Sequence, residues 1–262
     1  MQNSSTWAPS RRSPIDWPPN SFRVGPSIVV ALGALAIVVL GTGLAVAYAL
    51  SIGQLSVEGI SQRPPRMSAD FQLWSQYALY VPLLAYLLLV LPPLSRLPFR
   101  ALGFRVPTVS DLAVAVVGAV VMWVAVGTAN ALVERLTHLH DTEAAIVLLQ
   151  SVRSPMQQFA FVAMAVLVAP LVEELAFRVF IFNAFLRWTP FWIAALGSGV
   201  LFGIAHAQSP SQLVTVGLPL AIGGMVLAGV YARTRCYWSS VITHALFNSV
   251  SVVAFFVFHV TS

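Results

Sequence analysis

Seven apolar runs, at 27–50, 72–94, 109–133, 156–186, 190–208, 212–232 and 237–260, dominate this sequence, and each is long enough to cross a bilayer as a helix. Lipid offers no water to backbone N–H and C=O groups, so such runs can satisfy them only as helices or as a closed barrel. A spanning strand needs only about 9–11 residues, so runs of this length point to helices. Only 9% of residues are charged, against about 25% in an ordinary soluble domain. The expected fold is all-α: a polytopic transmembrane helix bundle of about seven spans, within a range of six to eight. Punctuation between runs agrees, with "SQRPPRMS" after the first, "LPPLSRLPFR" after the second, "WTPF" between the fourth and fifth and "RTRCYW" before the last.

The organisation read from this pattern is a disordered tail over 1–26, rich in Pro, Ser and Asn, then helices and connections over 27–154, and a helix core over 155–260 within the same membrane domain. The stretch "ERLTHLHDTEAAIVLLQSVRSP" is the most polar internal segment and suits a short interfacial helix. The net charge of +5 comes from 14 Arg and no Lys, scattered through the connections, which argues for a topogenic role and against nucleic-acid binding. With the N-terminus cytoplasmic, nine Arg fall on the cytoplasmic side and four outside, so an N-in, C-out protein of the bacterial plasma membrane is expected. Cys236 is the sole cysteine, which excludes an intramolecular disulfide and a multi-thiolate zinc site.

Against this apolar background, "LVEELAFRVFI" places Glu173, Glu174 and Arg178 at membrane depth, where a charge costs roughly 2.5–3.5 kcal/mol on insertion scales. Glu174 and Arg178 are four apart and can neutralise each other on one helix face, whereas Glu173 points about 100° away. The fifth run adds His206, and the seventh adds His244 and Asn248, again four apart. If the fourth and fifth runs form a hairpin about Thr189-Pro190, Glu173 and His206 both lie about 16 residues, roughly 25 Å, from the turn and share one depth. His244 lies only about 12 Å beyond the Arg233/Arg235 connection, so the hairpin must extend further than that connection for the three to meet. Taken singly, an intramembrane Glu-Arg pair reads as a structural staple and a lone His or Asn as interhelical glue. Together, a carboxylate and two imidazoles in a low-dielectric interior suit water activation, with His or Asn holding an oxyanion or His a metal. The cluster His138, His140, Asp141 and Glu143 reads instead as a solvated loop, and aromatics within the spans as packing or lipid-facing residues.

"EELAFR", "FGIAH" and "HALFN" match, in order and on successive runs, the EExxxR, FxxxH and HxxxN motifs of the CPBP intramembrane proteases, the group that holds the type II CAAX prenyl endopeptidases and bacteriocin-processing or immunity proteins. The resemblance covers about residues 155–255 without departure inside the motifs. It implies an intramembrane endopeptidase acting on a membrane-associated protein or peptide, with Glu173 the general base activating water together with His206. It further implies Glu174 and Arg178 as supporting partners, and His244 and Asn248 as donors to the tetrahedral intermediate. The family has been described both as metal-dependent and as a metal-free glutamate protease, so zinc on His206 and His244 is one expectation and a metal-free site the other. A non-catalytic scaffold or immunity factor of the same fold is the alternative function, and a small transporter with Glu173 as a proton relay a third.

Overall fold

The computed structural model describes residues 22–53, 55 and 67–258, and every regular element among them is helical. In chain order these are α1 (Val24–Ser51), α2 (Ala69–Ser95), α3 (Val109–Thr137), the short α4 (Ala144–Ser151), α5 (Pro155–Leu186), α6 (Phe191–His206), α7 (Pro210–Thr234) and α8 (Tyr237–Phe258). All but α4 and α6 are long and apolar enough to span a membrane, which gives six candidate spans. The fifth apolar run yields a helix of 16 residues because the backbone turns extended at Ala207, one residue after His206. α1 begins at Val24, three residues inside the expected tail, since Gly25 and Pro26 sit in its first turn, where a missing N–H is no loss. Residues 1–21, and His259 at the other end, lie outside the described residues. The short helix expected between the third and fourth runs is α4.

Local chemistry fixes where the helices start. Ser68, Thr108 and Ser154 cap α2, α3 and α5, the last two through reciprocal capping boxes with Asp111 and Gln157. Arg105 grips Asp111 through both terminal nitrogens, at 2.6 and 2.9 Å, and donates to the Thr234 carbonyl at 2.6 Å. One guanidinium thereby closes the start of α3 onto the end of α7.

α5 is not a uniform α-helix. Met164–Val168 and Leu175–Phe182 widen to π-turns on either side of Pro170, and Leu213–Gly217 does so near the start of α7. Pro170 has no N–H to give, so the Ala165 carbonyl five residues back is left open in a π register. Asn248 Nδ2 of α8 donates to that carbonyl at 2.7 Å. Other α5 carbonyls are met in the same way: Tyr77 of α2 donates to Ala160 O at 2.8 Å, Tyr237 of α8 to Leu171 O at 2.6 Å and Ser198 of α6 to Phe177 O at 2.9 Å. In lipid these partners are what makes the irregular turns tolerable.

α6 and α7 meet backbone to backbone. A Cβ on Gly203 would collide with the Gly217 carbonyl, and one on Gly199 would lie 2.6 Å from Ala221 O. Small residues four apart on α6 thus permit the close crossing that drives helix association when lipid tails are as apolar as Leu. Glu174 stands 12 residues from the end of α5, about 18 Å, while His244 is seven residues from the start of α8, about 10 Å. The α5–α6 hairpin therefore extends about 8 Å beyond the α7–α8 connection, the condition under which the three polar helices share one depth.

Candidate active site

The six polar residues singled out above converge in two layers. Glu173, His206, His244 and Asn248 line an open-sided cavity of about 670 Å³ between α2–α8, and Glu174 and Arg178 lie behind it, both fully buried. In the rear layer Arg178 Nε lies 3.1 Å from Glu174 Oε2, Nη2 donates to Gly224 O at 3.2 Å, and the guanidinium sits 4.7 Å from the Phe202 ring centroid. The four-residue spacing thus yields an ion pair, stabilised from α6 by a cation–π contact. Glu174 Oε1 accepts from His244 Nδ1 at 3.0 Å, so the pair also orients the imidazole in front of it.

In the front layer His206 Nδ1 is 2.8 Å from the Phe202 carbonyl. A carbonyl and a carboxylate can only accept, so the tautomers assigned from these partners place the proton of each ring on Nδ1. Both Nε2 atoms consequently face Glu173 Oε2, at 3.7 Å from His206 and 3.9 Å from His244. Glu173 is 8% exposed; Oε2 has no hydrogen-bond partner, while Oε1 accepts from Tyr80 Oη of α2 at 2.7 Å. The gap between Oε2 and the two imidazoles is a place for a species that can both give and take protons, such as a water molecule.

Two residues escape the sequence reading. Tyr80 was hidden among span aromatics assigned to packing, although a phenol inside a membrane run signals a polar partner. Glu143 was placed on a solvated loop; the connection in fact folds over the cavity, where Leu139–Ile146 form part of the wall. Thr215 Oγ1 donates to Asp141 at 3.0 Å and Gln212 Nε2 to Thr142 O at 3.2 Å, which ties this connection to α7. Burial there raises the Glu143 carboxyl above the usual carboxylate range, partly countered by His206. His138 and His140 stay exposed, and His140 Nδ1 lies 3.5 Å from Glu134. Asn248 reaches the cavity, but one of its amide hydrogens is committed to Ala165 O.

The donor types at Glu173, His206 and His244 suit zinc. Their separations of 3.7 and 3.9 Å exceed the roughly 3.3 Å edge of a tetrahedral shell with bonds near 2.0–2.1 Å. Among the described residues no three His, Cys, Asp or Glu groups form a preassembled metal site.

Comparison with known proteins adds to this geometry. Residues 155–250, the stretch that carries every one of these motif residues, match the family model described as "Type II CAAX prenyl endopeptidase Rce1-like". The matched segment, somewhat over a third of the chain, is similar to that family. A curated protein of Bacillus subtilis (strain 168), "Putative membrane peptidase YdiL", is 36% identical over 87 residues, which is 33% of this chain and 34% of that relative. The chain thus aligns with about a third of the relative's length. No solved structure matches it. The matched segment comprises α5, α6, α7 and the part of α8 up to residue 250, and Tyr80 and Glu143 line the cavity from outside it.

Proposed function

We propose that this protein is an intramembrane endopeptidase whose base is Glu173. The observation that carries the reading is Glu173 Oε2, buried and unpartnered, facing the Nε2 atoms of two imidazoles whose other nitrogens are already engaged. A water in this gap donates to Glu173 Oε2 and to His206 Nε2. As its oxygen attacks the scissile carbonyl carbon, its proton passes to Glu173. The resulting oxyanion is met by the uncommitted amide hydrogen of Asn248 and by His244, whose Nε2 donates once it has taken up a proton from solvent in the cavity, with the Glu174 carboxylate behind it as counter-ion. Glu173 then returns the proton to the amide nitrogen as the C–N bond breaks, releasing an amine and a carboxylic acid whose remaining proton, from the attacking water, passes to His206 Nε2 to leave the carboxylate.

If zinc binds, Glu173, His206 and His244 are the residues that would hold it, and it would supply a water of lowered pKa. Turnover lost on chelation and restored by zinc assigns that form, and turnover indifferent to chelation assigns the metal-free one. The substrate class is a membrane-associated protein or peptide, the Arg asymmetry supports a cytoplasmic N-terminus, and the bacterial plasma membrane is the location proposed. The test is proteomic comparison of cells carrying wild type or Glu173→Gln. A precursor that accumulates only with the variant, and is cleaved by purified wild type in proteoliposomes, supports the protease. A phenotype preserved in Glu173→Gln identifies the scaffold alternative instead.

A further inference from the structure

Among the described residues, Glu173 is held differently from Asp111 and Glu174, the other carboxylates that lie fully inside the protein. Asp111 has a bidentate Arg105 and the Thr108 N–H, and Glu174 has Arg178 and His244. Glu173 has one hydrogen bond, from the Tyr80 phenol. A carboxylate with both oxygens free could rotate about its terminal torsion, where the energy wells are broad. A donor fixed to one oxygen removes that freedom.

Tyr80 is itself fixed from several points. Asp70, Leu73, Tyr77 and Tyr80 follow one another at spacings of three and four, a single stripe along α2. Asp70 accepts from Gln157 Nε2 at 3.0 Å, Leu73 packs in a buried cluster with Leu148 and Phe161, and Tyr77 donates to Ala160 O. Three consecutive members of the stripe thus dock on α5 or its neighbourhood before the fourth reaches the carboxylate. Their combined effect is to set the height and rotation of α2 against α5.

Resting on the protease reading above, we propose that Tyr80 is a positioning residue of the reaction: its hydroxyl immobilises Glu173 Oε1 so that Oε2 alone faces the gap between His206 and His244. This gives α2, which lies outside the family-matched segment, a task in the chemistry. The phenol makes no bond to the attacking water. Its removal therefore leaves substrate binding intact and lowers the fraction of time in which Oε2 is aligned, an error of about 1 Å being able to slow a step by about 100-fold.

The experiment uses the full chain in proteoliposomes and a membrane-embedded quenched-fluorescent peptide chosen because wild type cleaves it and Glu173→Gln does not. Tyr80→Phe should lower kcat by about 10- to 100-fold with KM within about twofold, in a protein that still shows a cooperative melting transition. 4-Aminophenylalanine at position 80, which keeps a donor in place, should restore kcat to within about threefold of wild type. Full kcat in Tyr80→Phe, or equal failure of the phenylalanine and aminophenylalanine proteins, overturns the proposal. A second readout stands apart from proteolysis: with tyrosine ring-labelled, the infrared C–O stretch lost in Tyr80→Phe should shift in Glu173→Gln. No shift denies the contact itself, whereas a shift in a chain that cleaves nothing retains the contact and rejects the protease reading.

Discussion

α1 and α7 are both apolar helices of similar length, yet 6% of the most apolar window of α1 is buried inside the protein and 61% of that of α7. α1 leans on α2 through separate side-chain contacts, such as Tyr86 Oη donating to Val30 O at 3.1 Å. α7 presses its backbone against α6 through glycines, and its Gly224 carbonyl receives Arg178. The difference shows where positional accuracy resides. Backbone contacts leave no rotamers to adjust, so α6, which carries His206, sits at a fixed separation from α7, whose Gly224 carbonyl anchors Arg178 of α5, while α1 offers most of its surface to lipid.

The largest effect should come from opening that seam. Gly203→Leu must separate α6 from α7, so it should abolish cleavage and lower the melting temperature markedly, overpacking typically costing about 1–3 kcal/mol or more. Gly43→Leu in α1, where a Cβ would meet nothing within 4 Å, should leave both unchanged. Equal effects from the two would erase the distinction between the regions. Next comes Arg178→Ala, which leaves Glu174 buried and unmatched. A loss of about 3–5 kcal/mol is expected in denaturation of the detergent-solubilised protein, together with lost activity because His244 is no longer oriented.

Sequence periodicity and arithmetic reached this core further than the periphery. Equal distances of Glu173 and His206 from one turn sufficed to align them, because a hairpin converts residue count into depth. The Glu174–Arg178 pair followed from helical spacing alone. Tyr80 did not, since its partner is 93 residues away and only the mutual packing of α2 and α5 brings them together. Nor did the π-turns: nothing in "MAVLVAP" other than Pro170 hints that a turn widens, and the compensating amide of Asn248 comes from a different helix. The half-buried place of Glu143 is not legible either, because its connection is polar in composition and largely exposed yet tied down by side chains of α7.

A smaller effect tests the rim. The folded protein holds Glu143 above its ordinary value by burial, so the stabilising contribution of its neutral form is fully present below the unfolded value of about 4.3. That contribution is lost as pH rises through the folded value. Against Glu143→Gln, wild type should therefore match in melting temperature at low pH and fall below it at neutral pH. A constant difference across the range would place Glu143 in solvent after all. The smallest expected change is in the reporter Cys236→Ser, whose thiol makes one weak 3.6 Å contact to Arg105 O. In that background, cysteines placed at the two ends should label from opposite faces of the membrane, because the short α6 is counted with the six longer helices as a seventh crossing between α5 and α7. Labelling from one face would reverse the parity of the crossings.

The widened turn before Pro170 also sets the phase of α5. Each residue advances an α-helix by about 100°, and a π-turn takes in one residue more than an α-turn over about the same rotation. Shortening 164–168 by one residue would let this turn close as α and keep Gln157 and Ala160 facing Asp70 and Tyr77. The same deletion within 161–163, where the helix is already α, would swing both by about 100° while the EExxxR stretch stayed where it is. Sequence length between the α2 docking points and the motif is therefore under an angular constraint, one that hydropathy does not register.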